Sequence, residues 1–234
     1  SAQGSEKEFG TSFKSGINED IIKGSKYVHV VSCNTHSLAT ILTTFTGNGL
    51  ENLQQADFVI VRRSEDIGNH QRLVSGNVVA RHLNPDIGTH HSIDVIDMFA
   101  EQNIQPNITS SDITTPSQMM HTVRFNIDLK NPLQQSIVNL IETNNLVSTT
   151  TKFDSNVIFE LGRRYSPFGR IYSQAIFITN NIIEQEKNIK GWAFIPQEGN
   201  TILSTIHAFL LQTEQNNTNQ IIQKMKNDMI INEW

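Results

Sequence analysis

The residues best suited to covalent chemistry in this chain of 234 residues stand together at Val30-Val31-Ser32-Cys33-Asn34-Thr35. Cys33 is the only cysteine. Lys26 to Val31 has strand composition, while Leu38, Ile41 and Leu42 recur on one helical face. Cys33 therefore falls where a strand runs into a helix. Free N–H groups and the positive end of the helix dipole stabilise a thiolate at such a point. A lone Cys without such neighbours is a small buried hydrophobe. Asn34 and Thr35 are positioned to orient the sulfur or to donate to a developing oxyanion.

A thiol nucleophile also needs a base and an electrostatic clamp. His121 opens a run with apolar residues at 123, 125, 127 and 129, and a His at a strand start can line a cleft. Arg62 and Arg63 end the apolar run Phe58-Val59-Ile60-Val61. Adjacent strand residues point to opposite faces, so only one of the two is aimed at a site, and a strand-end Arg pair taken alone reads as solvated. Thr89, His90 and His91 precede a helix expected near Ser92. A hydroxyl, imidazoles and helix-start N–H groups together suit a phosphate. The paired histidines also suit a metal, but they lack a clear third ligand in the sequence, and no metal is assigned.

The elements that must position these groups follow from periodicity. Strand-like runs occur at 26–32, 57–63, 121–129, 174–179 and 190–195, with a weaker one near 181–184. Helical runs occur at 34–45, 92–102, 132–143, 154–164, 201–214 and 217–229. Asn131 and Pro132 read as N-cap and first residue of the third helix. Asp154 or Ser155 reads as a cap for the fourth, and Thr201 for the fifth. Gly47-Asn48-Gly49 reads as a helix stop. Residues 1–24 read as an irregular opening segment. The loop 64–91, carrying His70, Arg72, Arg81, His82, His90 and His91, is too long for a simple connection. This pattern predicts one α+β domain over 1–234, a mixed, largely antiparallel sheet with helices packed on one face. No Gly-x-Gly-x-x-Gly follows a strand and no P-loop is present, so a nucleotide-binding domain is not expected within the chain.

Composition narrows the function. A net charge of -5 argues against a generic nucleic-acid binder. No apolar stretch reaches the length of about 20 residues that a membrane span needs. Ser1 to Lys7 has no apolar h-region, and a single Cys fits a reducing compartment, so a cytoplasmic protein is expected.

Taken in order, these segments resemble the archaeal-type (type II) glyceraldehyde-3-phosphate dehydrogenases, in their catalytic C-terminal domain. The family's Val-Val-Ser-Cys-Asn-Thr-Thr is matched unbroken from Val30 to Thr35, with His36 in place of the second Thr. Its Val-Arg-Arg matches Val61-Arg62-Arg63, and its Pro-Ser-His-His matches Gly88-Thr89-His90-His91. Its Pro-Thr-Thr-Leu-Met-His matches Pro116-Ser117-Gln118-Met119-Met120-His121. Gln3-Gly4-Ser5-Glu6-Lys7 looks like Gln-Gly-Gly-Glu-Lys, and Gln197-Glu198 looks like the Gln-Glu-Ser before a late family helix. The family's lysine-bearing segment after Val-Arg-Arg corresponds to His70 to Asn77, which has no lysine.

The resemblance implies a phosphorylating oxidoreductase. Cys33 would form a hemithioacetal and then a thioester, with His121 as general base. Arg62, Arg63, Thr35, His90 and His91 would hold substrate and inorganic phosphate. NAD or NADP would come from a nucleotide-binding domain not present in this chain or from a partner chain, the substrate would be a small phosphorylated aldehyde, and a homo-oligomer is implied. A second reading is a non-catalytic subunit or interaction module derived from that fold. A third keeps the thiol and drops the redox step, as in an acyl transferase or thioesterase.

Overall fold

Burial alternates without a break from His121 to Leu129, which makes this strand the spine of the sheet. The computed structural model of the protein describes residues 1–3, 7–64, 79–81, 84–116 and 119–234. Its elements run in the order β1 (Ala2–Gln3), β2 (Thr11–Phe13), α1 (Glu19–Ile22), β3 (Val28–Val30), α2 (Cys33–Thr46), β4 (Leu53–Arg62), β5 (Val79–Arg81), α3 (His90–Ala100), β6 (Ile108–Thr114) and β7 (His121–Leu129). There follow α4 (Ile137–Thr143), β8 (Val147–Thr150), α5 (Ser155–Tyr165), β9 (Ala175–Ile178), β10 (Ile183–Gln185), β11 (Asn188–Ile195), α6 (Ile202–Gln212) and α7 (Thr218–Met229).

The large sheet has the order β5-β6-β4-β7-β11-β9-β8, with β10 also on β11. Its pairs are antiparallel except β4 with β6 and β8 with β9. The mixed, largely antiparallel α+β architecture expected from the sequence is present. One face of the sheet carries Phe58, Ile60, Val123, Phe125, Phe177 and Ile195 against Leu38, Ile41, Phe45, Val95, Met98 and Ile141 of α2, α3 and α4. A smaller cluster on the opposite face joins Ile176, Ile178 and Phe194 to Ile158 of α5 and to Trp234.

At the centre of the larger core, Phe45, Phe125 and Phe177 form an aromatic triangle with centroids 5.5–5.9 Å apart. Gly191 on β11 makes room for it, because a Cβ there would stand 2.7 Å from Phe125 Cζ. Gly47 ends α2 as anticipated, in the left-handed half of φ space at 87°.

Several boundaries differ from expectation for identifiable reasons. Residues 1–24 are not wholly irregular: β1 and β2 flank β3 in a small parallel sheet. Such short strands pair only through distant residues and leave little local pattern. The third predicted helix does not begin at Pro132. The Asn52 amide bonds both the N–H and the C=O of Asn131 (2.9 Å each), and α4 starts after Ser136, whose hydroxyl accepts from Asn139 N–H. Asp154 and Thr201 stand at the N-cap positions of α5 and α6 but make no side-chain cap bond. β6 and β8, rich in Thr and Ser with few apolar residues, carry no strand pattern in the sequence. Most of the loop 64–91, including His70, Arg72 and His82, lies outside the described residues, as do Ser117, Gln118 and residues 4–6.

A buried polar seam joins α2 to α6. His36 Nδ1 is 3.0 Å from Ser32 O and so donates to it, which leaves Nε2 to accept from Ser204 Oγ at 2.8 Å. Ser204 Oγ in turn accepts from Ser15 N–H, and Ser15 Oγ lies 2.8 Å from His207 Nδ1. Burial, with Lys14 nearby, pushes the His36 imidazole down to about 3. Burial also lowers His207 and holds Lys14 down to about 7.

Two outcomes follow. Phe125→Ala is expected to destabilise by about 3–5 kcal/mol in urea unfolding, whereas Phe168→Ala, at an 87% exposed site, should stay within about 0.5 kcal/mol. For pH, an unfolded His binds its proton below about 6.5 while folded His36 does not until about 3. The unfolded state therefore holds more protons between these values, and stability falls as pH drops through that window, at up to about 1.4 kcal/mol per pH unit for this group. His36→Gln should flatten the slope in urea titrations from pH 7 to pH 4.

Candidate active site

Cys33 is the first residue of α2, as its position between strand and helix suggested. Ser32 caps the helix: its Oγ accepts from Thr35 N–H at 3.4 Å and lies 2.9 Å from Thr35 Oγ1. First-turn N–H groups have no partner within their own helix, so the thiol sits in the positive field of the α2 terminus. Asn200 Nδ2 donates to Cys33 O at 2.9 Å and approaches Ser37 Oγ at 3.2 Å. This pins the first turn of α2 to the loop before α6.

Cys33 borders a cleft of about 570 Å³ that is also lined by Arg63, Arg163, Arg170, Gln197, Glu198 and Thr201. Glu198 organises the cations. Its Oε1 lies 3.4 Å from Arg63 Nη1, its Oε2 pairs with Arg163, and its backbone O accepts from Arg170 Nη1 at 2.8 Å. Two guanidiniums share the Glu198 carboxylate and a third is held by its backbone carbonyl, so three cations against one carboxylate make the cleft favour an anion.

His121 is bonded to two residues that line this cleft. Its Nδ1 accepts from Arg63 N–H at 3.0 Å, and its own N–H donates to Gln197 Oε1 at 3.3 Å. With Nδ1 accepting, a neutral His121 carries its proton on Nε2 and presents a donor there.

The other anticipated residues gather at the start of α3. Arg62 turns to Asp112 on β6, 3.1 Å away, while Arg63 lines the cleft, so the two arginines do diverge. Thr89 is buried, and its Oγ1 lies 2.6 Å from Ser110 Oγ. His91 is 2% exposed and His90 is exposed. Asn34 Nδ2 meets His91 Nε2 at 3.1 Å, and Thr35 Oγ1 donates to Asp94 Oδ2 at 3.2 Å. The side chains of Asn34 and Thr35 thus run to α3 and hold α2 in place. Burial, with the neighbouring charges of His90, Arg62 and His121, holds His91 well below the usual imidazole range. His121 is therefore close to both groups, the cleft and the α3 terminus.

Sequence reasoning missed Arg163, Arg170 and Asn200. Arg163 and Arg170 stand at the end of α5 and in the turn after it, about 130 residues beyond Cys33, and nothing local ties them to the thiol. Gln197 and Glu198 were noticed as a motif without a role. His36, which replaces a Thr of the resembled pattern, is spent on the seam to Ser204.

Comparison with known proteins is consistent with this geometry. The chain is 30% identical over 155 residues to the glyceraldehyde-3-phosphate dehydrogenase of Saccharolobus islandicus, covering 64% of this chain and 42% of that protein. It is 28% identical over 184 residues to that of Saccharolobus solfataricus, 73% of this chain and 51% of that protein. It is 31% identical over 127 residues to that of Pyrobaculum neutrophilum, 54% and 35% respectively. The matches span about half or less of those relatives. No protein-family model matches the chain. These distant, partial similarities suggest a glyceraldehyde-3-phosphate dehydrogenase-like domain.

Removing the carboxylate of the cleft tests its electrostatics. Glu198→Gln leaves Arg63 and Arg163 less neutralised, which favours the Cys33 thiolate. Alkylation by iodoacetamide at pH 7 should accelerate about 2–10-fold. A slower thiol would show that Glu198 mainly holds the arginines in place.

Proposed function

We propose that this chain is the catalytic domain of a phosphorylating aldehyde dehydrogenase of the glyceraldehyde-3-phosphate dehydrogenase type, acting through a cysteine thioester. The observation that carries the reading is Cys33 at the head of α2, sharing a cleft with three guanidiniums and with His121 bonded behind it. The partial similarity to archaeal glyceraldehyde-3-phosphate dehydrogenases supports it.

In this reading the Cys33 thiolate attacks the aldehyde carbon, the C–S bond forms, and the carbonyl π pair moves to oxygen. Nε2–H of His121 donates to that alkoxide, in place of the general-base role that the resemblance implied. Collapse of that alkoxide to a thioester would release the C–H bond pair as hydride to a bound acceptor. NAD or NADP, when bound, supplies the acceptor for that hydride. The described residues offer no Gly-rich strand–helix turn for its pyrophosphate. The chain's share of the reaction is therefore to hold the aldehyde and present its C–H bond, with the dinucleotide held by a domain outside these residues. Inorganic phosphate then attacks the thioester carbon and Cys33 leaves as thiolate. Arg63, Arg163 and Arg170 hold the attacking phosphate beside the sulfur. Arg62 and the exposed His90 stand on the approach for the phosphate of a small phosphorylated aldehyde, with the buried Thr89 and His91 behind them. Asn34 and Thr35 keep the first turn of α2 aligned. The protein works as a homo-oligomer in the cytoplasm. No helix among the described residues is long and apolar enough to cross a membrane.

The last step run backwards needs no nucleotide and gives the test. An acyl phosphate should acylate Cys33: the acyl–S bond forms, the acyl–O bond breaks and phosphate leaves. Intact mass is expected to show one hydroxylamine-labile acyl group per chain, absent in Cys33→Ser and slowed about 10-fold or more in Arg163→Ala. Acylation no faster than that of the unfolded chain would sink the enzyme reading in favour of a non-catalytic module.

A further inference from the structure

We propose that His90, His91 and Asp94 form a binding site for a divalent transition metal, Zn²⁺ by ligand type, at the start of α3. The ligand atoms of the three side chains lie within 4.8 Å of one another. Two imidazoles and a carboxylate are a donor set that Zn²⁺ accepts, and three protein ligands leave a fourth position for water or an incoming group. The sequence shows only the two adjacent histidines. The third ligand emerges because Asp94 lies four residues beyond His90, one helical turn along the same face.

An independent observation points to a ligand there. His91 is 2% exposed, and its Nδ1 is buried without a hydrogen-bond partner. Asn34 is 3% exposed, and its Oδ1 is equally unpartnered, although the two side chains meet through His91 Nε2 and Asn34 Nδ2. Turning the Asn34 amide over makes His91 Nε2–H donate to Oδ1, moves the unpartnered end of the amide to Nδ2, and leaves His91 Nδ1 with a lone pair to offer. A metal-bound histidine is ordinarily held in this way, with its second nitrogen donating to a fixed oxygen. Asp94 is held likewise, its Oδ2 accepting from Thr35 Oγ1 at 3.2 Å.

The remaining requirements are met. Zn–N and Zn–O bonds of about 2.0–2.2 Å place tetrahedral ligand atoms roughly 3.4 Å apart. The exposed His90 is the ligand with room to adjust, and its exposure provides the route in. Arg62 is the nearby cation that would oppose a metal, and it is paired with Asp112 at 3.1 Å. Because Asn34 and Thr35 are the second and third residues of α2, the metal would brace the turn that carries Cys33. The inference rests on the geometry of α3, not on the thioester chemistry, and its readout is separate from acylation.

The test is titration of the metal-stripped chain with Zn²⁺ against a chromophoric chelator. One Zn²⁺ per chain is expected, with binding weakened at least 10-fold in both His90→Ala and Asp94→Asn and unchanged in Cys33→Ser. His90 is exposed, so its variant should keep the parent melting temperature and isolate the ligand effect from folding. Co²⁺ in place of Zn²⁺ should give visible bands without thiolate-to-cobalt charge transfer. The proposal is overturned by the absence of stoichiometric binding or by His90→Ala and Asp94→Asn binding like the parent. Loss of binding in Cys33→Ser, or a charge-transfer band, would overturn it too, by placing the metal on the thiol.

Discussion

The structure depends on burying a polar helix start. Asn34, Thr35, His36 and Ser37, the residues after Cys33, are all nearly or fully inaccessible. A buried polar group without a partner costs of the order of 1–3 kcal/mol, so this turn is stable only where partners converge on it. They come from four directions: His91 and Asp94 on α3, Ser204 on α6, Asn200 before α6, and the Gln174 carbonyl that accepts from Ser37 before β9. The sulfur is thereby set at the junction of two helices and the sheet end, with little freedom to move.

The apolar core serves the same end. α2 is buried along nearly its whole length, and its apolar side chains reach the Phe45, Phe125 and Phe177 triangle on the sheet. With that interior tightly packed, the helix axis is fixed and its N-terminus emerges at one rim of the sheet. β4 and β11 end and β7 begins at the same rim, which gathers Arg63, His121 and the Gln197–Glu198 pair. Strand register brings them together: Val61 lies opposite Thr122, and His121 opposite Ile195.

Charge at the rim is balanced by division. In the cleft bordered by Cys33, the Glu198 carboxylate pairs with Arg63 and Arg163 and its backbone carbonyl holds Arg170, and Asp112 offsets Arg62 on the other side. Each arginine is held in place while the cleft keeps a positive excess. The seam of Lys14, His36 and His207 is a different use of buried ionisable groups. Their proton affinities are depressed by burial; His36 and His207 tie α2, α6 and the segment after β2 together as hydrogen-bonding groups, while Lys14 Nζ donates to Ser15 O, at the cost of sensitivity to acid.

Local patterns in the chain carried much of this. Alternation in 121–129 announced β7, the apolar face after Cys33 announced α2, and the sharp change between strand and helix composition placed the thiol at a helix start. These features depend on the nearest few residues, where periodicity and capping act. The opening strands, the late start of α4 and the serine- and threonine-rich β6 were hidden because distant partners decide them. Asn52 holding Asn131 is such a case. The identities of Cys33, His121 and the paired Arg and His residues were legible as candidate chemistry. Their division into an arginine-lined cleft and a cluster at the head of α3, and the recruitment of Arg163, Arg170 and Asp94, were decided only by tertiary structure. Hydrogen bonds and ion pairs between residues tens to more than a hundred positions apart leave no signature in the spacing of either partner.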